Sequence, residues 1–413
     1  MLSVERECRD EDARALFELT AELADKELKP AAAAAERDAA FPRDAFRLIG
    51  RAGLLSLPYP ASLGGADQPY ETYLQVVEEL AGAWLTIGLG VSVHVLSCFP
   101  LVTAGTAEQQ ERWLPGMLSG DLLGAYCLSE PGSGSDAAAM RTRATADGST
   151  FILKGVKAWI SHAGQADFYS VFARTSGEPE GRERSRGISC FHVPAQTPGV
   201  KAASPEHKMG LRGSVTAQML FEDAQVPAEQ LIGDEGRGFA IALAALDAGR
   251  LGIAACATGV AQAALDAAVA YATERKQFGR PIMEFQGLAF MLADMATSVS
   301  AARALYLAAA RRKDAGLPYA QQAAMAKLFA SDTAMKVTTD AVQVLGGYGY
   351  VEDFGVERLM REAKVLQIVE GTNQIQRVVI SRSLSAVSAR GGDPPEPPAR
   401  SARGGDPPEP PAR

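Results

Sequence analysis

Residues 126–136 read Tyr126-Cys127-Leu128-Ser129-Glu130-Pro131-Gly132-Ser133-Gly134-Ser135-Asp136, and the chain changes period there. Upstream, apolar residues recur at helical spacing. That spacing predicts helices over 13–28, ending before Pro30, then after Phe41-Pro42-Arg43-Asp44, and over 70–83, 85–101 and 108–118. Residues 58–69, PYPASLGGADQP, are turn chemistry. Downstream, short β-rich runs at 151–153, 159–160, 168–173, 188–193 and 218–221 alternate with Gly, Ser and Asp, around a polar loop at 175–187. From Phe239 the helical period returns, over 239–274, 284–314, 319–345 and 371–387. Short breaks between long helices favour antiparallel neighbours in a bundle. The expected class is α+β: an N-terminal helical domain (1–123), a middle β-domain (124–236) and a C-terminal four-helix bundle (237–387).

Within the loop, glycines alternate with hydroxyls after a helix-incompatible Pro, which offers backbone N–H and Ser O–H groups to a polar ligand. It is neither a dinucleotide fingerprint nor a P-loop. The last residues are of another kind: 388–400, SARGGDPPEPPAR, recur letter for letter at 401–413. Pro, Gly and balanced charge cannot bury a core, so this tail is expected to be disordered. A duplication without a role explains it more simply than a Pro-rich docking site.

The 413 residues allow two or three domains, and 47% hydrophobic with 22% charged residues is ordinary for a globular protein. A net charge of -8 disfavours a nucleic-acid scaffold. Cys8, Cys98, Cys127, Cys190 and Cys256 form no CxxC, and their odd number argues against a disulfide framework. His94, His162, His192 and His207 have no metal-ligand spacing, so no metal is expected. The N-terminus lacks the apolar core of a signal peptide, and no apolar run of about 18 residues suggests a membrane span. A reducing, cytoplasmic setting follows.

A second stretch concentrates chemistry: Val365-Leu366-Gln367-Ile368-Val369-Glu370-Gly371-Thr372-Asn373-Gln374-Ile375-Gln376-Arg377. An apolar run delivers one carboxylate, Glu370, and Gly371 then allows a ligand close to the backbone. Desolvation would raise the carboxyl pKa and make its anion a stronger base. Glu370 is thus a candidate general base for a carbon-bound proton. The competing reading puts it in the first turn of a helix, complementing the macrodipole.

The string AYCLSEPGSGSD (125–136) closely resembles the first signature of the acyl-CoA dehydrogenases. Lys157-Ala158-Trp159-Ile160-Ser161 resembles the family's flavin-side strand, and Arg275-Lys276-Gln277-Phe278-Gly279-Arg280-Pro281 its second signature. Asp340-Ala341-Val342-Gln343-Val344-Leu345-Gly346-Gly347-Tyr348-Gly349 resembles its Gly-rich helix end, and Glu370-Gly371-Thr372 the segment with the catalytic base. The resemblance runs in order over about residues 8–387.

That resemblance implies FAD as cofactor, an acyl-CoA substrate and oxidation to the trans-2-enoyl-CoA, with electrons passed to an electron-transfer flavoprotein. Glu370 matches the base that takes the α-proton, and its backbone N–H the donor to the thioester carbonyl. Gly371 matches a position against the substrate. Tyr126, Cys127, Leu128, Ser129 and Ser135 match the flavin-contacting loop, Ser135 also meeting the acyl-CoA. Trp159, Ile160 and Ser161 match residues on the flavin ring; without its neighbours Trp159 would read as a core aromatic. Asp247 and Arg250 match substrate-side positions, although alone they read as a helical ion pair at i, i+3. Arg275, Gln277 and Phe278 match residues that grip the dinucleotide tail of a neighbouring subunit, with Gln286, Gln343, Gly346 and Gly347 as further contacts. Thr372 and Gln374 match flavin contacts after the base. A shared site implies a homo-oligomer, usually a tetramer. Val369 stands where the family often has Tyr, and Gln277 where some members have Thr or Ala. An acyl-CoA oxidase and a dehydrogenase of carrier-protein thioesters remain alternatives within the fold, and a short or medium straight acyl chain is the expected substrate.

Overall fold

Pro30 does not end the first helix. In a computed structural model that describes residues 4–177 and 184–389, α1 (Glu11–Leu23) passes through one π-helical turn, Ala24–Leu28, into α2 (Lys29–Asp38). A proline in a helix lacks an N–H and crowds the carbonyl four residues back. The wide turn lies where that conflict would fall, and Pro30 sits in the first turn of α2. The helix starts on Asp10, whose side chain accepts Ala13 N–H at 2.8 Å, and ends on Ala39 in the left-handed region.

Four more helices complete the N-terminal part: α3 (Arg43–Arg51), α4 (Tyr70–Ala83), α5 (Leu85–Ala104) and α6 (Ala107–Leu118). The sequence reading missed that α5 is long and apolar enough to cross a membrane. So are α7 (Gly238–Glu274) and α8 (Gln286–Asp314). In the fold, α5 is buried against protein along most of its length, whereas most of the apolar stretch of α8 is not.

The middle part is an eight-stranded sheet. Its strands are β1 (Gly124–Cys127), β2 (Arg143–Asp147), β3 (Thr150–Ser161), β4 (Phe168–Arg174), β5 (Ile188–Pro194), β6 (Val200–Ala202), β7 (Thr216–Pro227) and β8 (Leu231–Ile232). The order is β6-β7-β3-β2-β4-β5-β8, with β1 parallel to β4. The runs at 151–153 and 159–160 are one strand, and 218–221 is the middle of a twelve-residue strand. The β3–β7 register slips twice, between Leu153 and Gly155 and between Lys157 and Ile160. The second irregularity holds Trp159.

Beyond α7, the chain makes a hairpin of β9 (Lys276–Gln277) and β10 (Arg280–Pro281), then α8 and α9 (Ala320–Leu345). The four expected helices are present as α7, α8, α9 and α11, and among the described residues a short helix not foreseen from sequence, α10 (Val356–Leu366), precedes α11 (Asn373–Ala389). Helices α4 and α7 cross backbone to backbone at Gly82 and Gly259, and a Cβ on Gly259 would overlap the Glu78 carbonyl. The repeated tail, 388–413, lies outside the described residues from 390 onward.

Three buried histidines line the seam between the first helices and the sheet. His94 Nδ1 accepts Gly124 N–H at 3.1 Å, while His162 Nδ1 lies 2.9 Å from the Gly124 carbonyl. His192 stacks on Trp113 with ring centres 4.6 Å apart. Burial pushes all three down to about 4; the charges of Arg43 on His162 and Arg112 on His192 act the same way, and Asp167 opposes the shift of His94. An unfolded chain binds these protons near pH 6.5 and the folded one near 4. Their contribution to stability is therefore present above pH 6.5 and is lost as pH falls towards 4. Denaturant midpoints measured from pH 7.5 to 4.5 should fall, reporting a loss of unfolding free energy of about 2–3 kcal/mol per histidine. A midpoint flat from pH 7 to 5 contradicts this assignment.

Candidate active site

Glu370 is not in the first turn of a helix. It sits in the bend between α10 and α11, with φ of 54°, and Gly371 follows at 85°. An L-residue in the left-handed region is strained, so the surroundings must hold it there. The residue is partly covered, yet its Oε2 is buried without a hydrogen-bond donor. Gly249 of α7 makes the room: a Cβ there would lie 2.9 Å from that oxygen and 3.3 Å from Leu96 Cδ1. Burial raises the Glu370 carboxyl to about 7, against the pull of Arg250 and Lys327.

Two side chains fix the bend by its carbonyls. Gln376 Nε2 donates to the Glu370 carbonyl at 3.1 Å and to the Gly371 carbonyl at 2.8 Å. Lys327 Nζ, from α9, donates to the Gly371 carbonyl at 2.9 Å and to Asn373 Oδ1 at 2.8 Å. Asn373 Nδ2 and Gln367 Nε2 each reach Asp332 Oδ1 at 2.7 Å, tying both sides of the bend to α9. Neither Lys327 nor Gln376 nor Gly249 was singled out from sequence. The available signal for Lys327 was a lone charge inside the apolar helical run AAMAKLFA.

A cavity of about 170 Å³ is lined by Tyr70, Tyr73, Ser92, Leu96 and Gly249 among others, and Gly249 also packs against the Glu370 carboxylate. Tyr70 Oη donates to the Ala248 carbonyl at 3.0 Å, and Tyr59 Oη to that of Val95, so these phenols are fixed. A dry cavity of about 150 Å³ accommodates benzene, which scales this one to an acyl chain of a few carbons.

The loop after β1 is bolted to β3 by a buried ion pair. Lys157 Nζ meets Glu130 Oε1 at 2.8 Å and the Leu128 carbonyl at 3.0 Å. Glu130 also accepts the N–H groups of Arg141 at 2.6 Å and Thr142 at 2.9 Å. The Ser129 carbonyl accepts Ala158 N–H at 2.9 Å, which sets the loop beside Trp159. Trp159 is 65% exposed with φ of 63°, so a large ring stands open to a ligand. That open face, beside half-buried Ser129 and Ser161, fits a flavin ring. Tyr126 joins the two halves: its ring meets Phe172, and its phenol is raised by burial, then by Cys190 and Glu370. Cys127, Leu128 and Ile160 are buried in the core, so only their backbone could meet a ligand. Ser135 is exposed.

The remaining candidates divide into two places. Asp247 and Arg250 do form the i, i+3 ion pair, but not on the surface. Arg250 is buried with its Nε unpartnered, and its charge acts on Glu370. Arg275, Gln277 and Phe278 gather on the β9–β10 hairpin, where Phe278 is 94% exposed. Arg275 lies over the Tyr348 ring at 5.6 Å, next to exposed Gln343, Gly346 and Gly347 at the end of α9; Gln286 opens α8. Among the described residues, no hydrogen bond or ring contact joins this cluster to Trp159 or Glu370. Thr372 Oγ1 accepts Ile375 N–H at 3.3 Å, opening α11, and Gln374 is exposed.

The family descriptions "Acyl-CoA dehydrogenase, N-terminal domain", "middle domain" and "C-terminal domain" match residues 10–121, 125–224 and 236–385. The short-chain specific acyl-CoA dehydrogenase of Clostridium acetobutylicum is 42% identical over 365 residues, 88% of this chain and 95% of that protein. Butyryl-CoA dehydrogenase from Megasphaera elsdenii superposes with a TM-score of 0.88 at 38% identity, over 92% of this chain and 100% of that one. A chain from a structure of the electron transferring flavoprotein of Acidaminococcus fermentans superposes at 0.89 with 44% identity, covering 92% and 99%. With three domains matched in order along nearly the whole sequence, this chain belongs to the acyl-CoA dehydrogenase family.

Proposed function

We propose that Glu370 is the base that removes the α-proton from a short-chain acyl-CoA. The chain is an acyl-CoA dehydrogenase of the short-chain type, an oxidoreductase with FAD as cofactor. The observation that carries the residue assignment is the donor-free, buried Oε2 packed against Gly249, which also lines the 170 Å³ cavity. A carboxylate without donors binds a proton readily, and a pKa near the working pH suits it to take one and release it. Among the described residues the Glu370 N–H has no backbone acceptor, which leaves it for the thioester carbonyl. A hydrogen bond there stabilises the negative charge that builds up as the proton leaves. FAD supplies the acceptor for the β-hydrogen.

Tyr126, Ser129, Trp159, Ser161, Thr372 and Gln374 form the ring side of the cofactor site in this proposal, and Ser135, Asp247, Arg250 and Gly371 the substrate side. Arg275, Gln277, Phe278, Gln286, Gln343, Gly346 and Gly347 hold the dinucleotide tail bound by a neighbouring copy. The separation of that cluster from Trp159 supports the assignment, and so do exposed Phe278, Phe290, Tyr350 and Leu384, which a homotetramer would cover. An electron-transfer flavoprotein is the acceptor in this scheme. The free cysteines suit a cytoplasmic location. In solution, the particle should sediment at a multiple of 43.5 kDa; a monomer at micromolar concentration contradicts the shared site.

Because the ionised form acts, kcat/KM for butyryl-CoA should rise with pH through about 7. Glu370→Gln should keep the yellow FAD but lose anaerobic bleaching by acyl-CoA by about 10³-fold or more. Bleaching at the wild-type rate refutes the base. Gly249→Val, which pushes the carboxylate aside, should lower kcat/KM by about tenfold or more with FAD retained.

A further inference from the structure

We propose that Lys327 is a positioning residue: its ammonium clamps the Glu370–Gly371 bend and supplies the countercharge against which that carboxylate ionises. The inference rests on the reading of Glu370 as the base.

Lys327 is fully buried in α9. Burying an ammonium is costly unless the structure uses its charge, and an apolar residue would pack in a helix interior more cheaply. Yet no carboxylate lies within ion-pair distance of Nζ among the described residues. Its two acceptors, the Gly371 carbonyl and Asn373 Oδ1, are neutral and both belong to the bend. Burial is the largest influence on Lys327 and pushes its ammonium down to about 7, with Glu370 first and Asp332 second pulling it back up, so its charge bears on the loop that carries the carboxylate and is strongest below that pH. Asp332 already accepts from Asn373, Gln367 and Arg377. Glu370 has no donor on Oε2. The ammonium thus acts through the bend as a local dipole and at short range as a charge, without the direct hydrogen bond that would mask the base.

The other groups facing Glu370 come from three elements. Arg250 of α7 is the larger cationic influence on Glu370, ahead of Lys327, and works in the same direction. Tyr70 of α4 and Tyr126 of β1 have phenols raised by burial first, so they stay neutral across the working range. Only Lys327 both contacts the strained backbone and bears on the carboxylate. Gln376 holds the same two carbonyls but carries no charge, which separates placement from electrostatics by mutation.

The test uses FAD-loaded enzyme and butyryl-CoA, with kcat/KM followed from pH 5.5 to 9.5. Lys327→Met should move the acid limb up by about one pH unit, so that activity at pH 7 drops about fivefold and recovers near pH 9. Gln376→Leu should lower kcat at every pH and leave the limb in place. Should Lys327→Met lose FAD or fail to fold, Lys327→Gln carries the same test, because it keeps a donor and removes the charge. A profile for either Lys327 variant that superimposes on the wild type after scaling overturns the proposal and leaves Lys327 as packing. If instead Glu370→Gln keeps full activity, the base assignment itself is what has failed.

Discussion

A carboxylate oxygen, Glu370 Oε2, withheld from water and from hydrogen-bond donors is the constraint around which this molecule is arranged. Such a group is expensive. Raising its proton affinity from an ordinary value to about 7 means that the folded state gives up on the order of 3 kcal/mol whenever the group is ionised. The rest of the protein must supply that stability elsewhere, and it must also prevent the cheap escape, rotation of the side chain into solvent. Backbone strain at Glu370 closes that route only because the bend cannot relax.

Four helices enforce the bend, two distant in sequence and two flanking it. Helix α7 contributes the bare surface of Gly249 and the buried charge of Arg250. Helix α9 contributes Lys327, Ser331 and Asp332, which engage the bend through Asn373 and the Gly371 carbonyl. Helix α10 brings the chain in at the right height and α11 returns Gln376 to the same carbonyls. Helix α4 crosses close over α7 at Gly82 and Gly259, and tyrosines tied to backbone carbonyls complete the cavity wall. Each of these choices would be a poor one for stability alone.

The flavin side follows another logic. The ring site is built from open surface on rigid backing. The Glu130–Lys157 pair fixes the loop to β3 from below, and the register slip in β3 turns Trp159 outward. Trp159 stays exposed there, and in our proposal FAD completes that surface. Exposed Phe278 and its neighbours at the far end of the bundle show the same incompleteness, with a second copy of the chain as the complement that our scheme assigns.

The sequence by itself determined the α–β–α order and the long helices, and it singled out Glu370 as the candidate base, because periodicity and short local strings are local properties. It also carried Trp159 and the Gly/Ser loop, whose residue types and order are distinctive. It did not reveal that the helix runs on past Pro30, since a π-turn is a backbone adjustment with no compositional mark. Nor did it reveal α10, whose eleven residues are too few for a clear period. The tertiary structure alone decided that Arg250 is buried rather than a surface partner of Asp247, that Cys127, Leu128 and Ile160 face the core, and that Lys327 and Gly249 belong to the site. Those facts depend on which helix faces lie together across 44 residues of chain for Lys327 and more than a hundred for Gly249, and desolvation, which raises the proton affinity of Glu370, exists only once those faces have met.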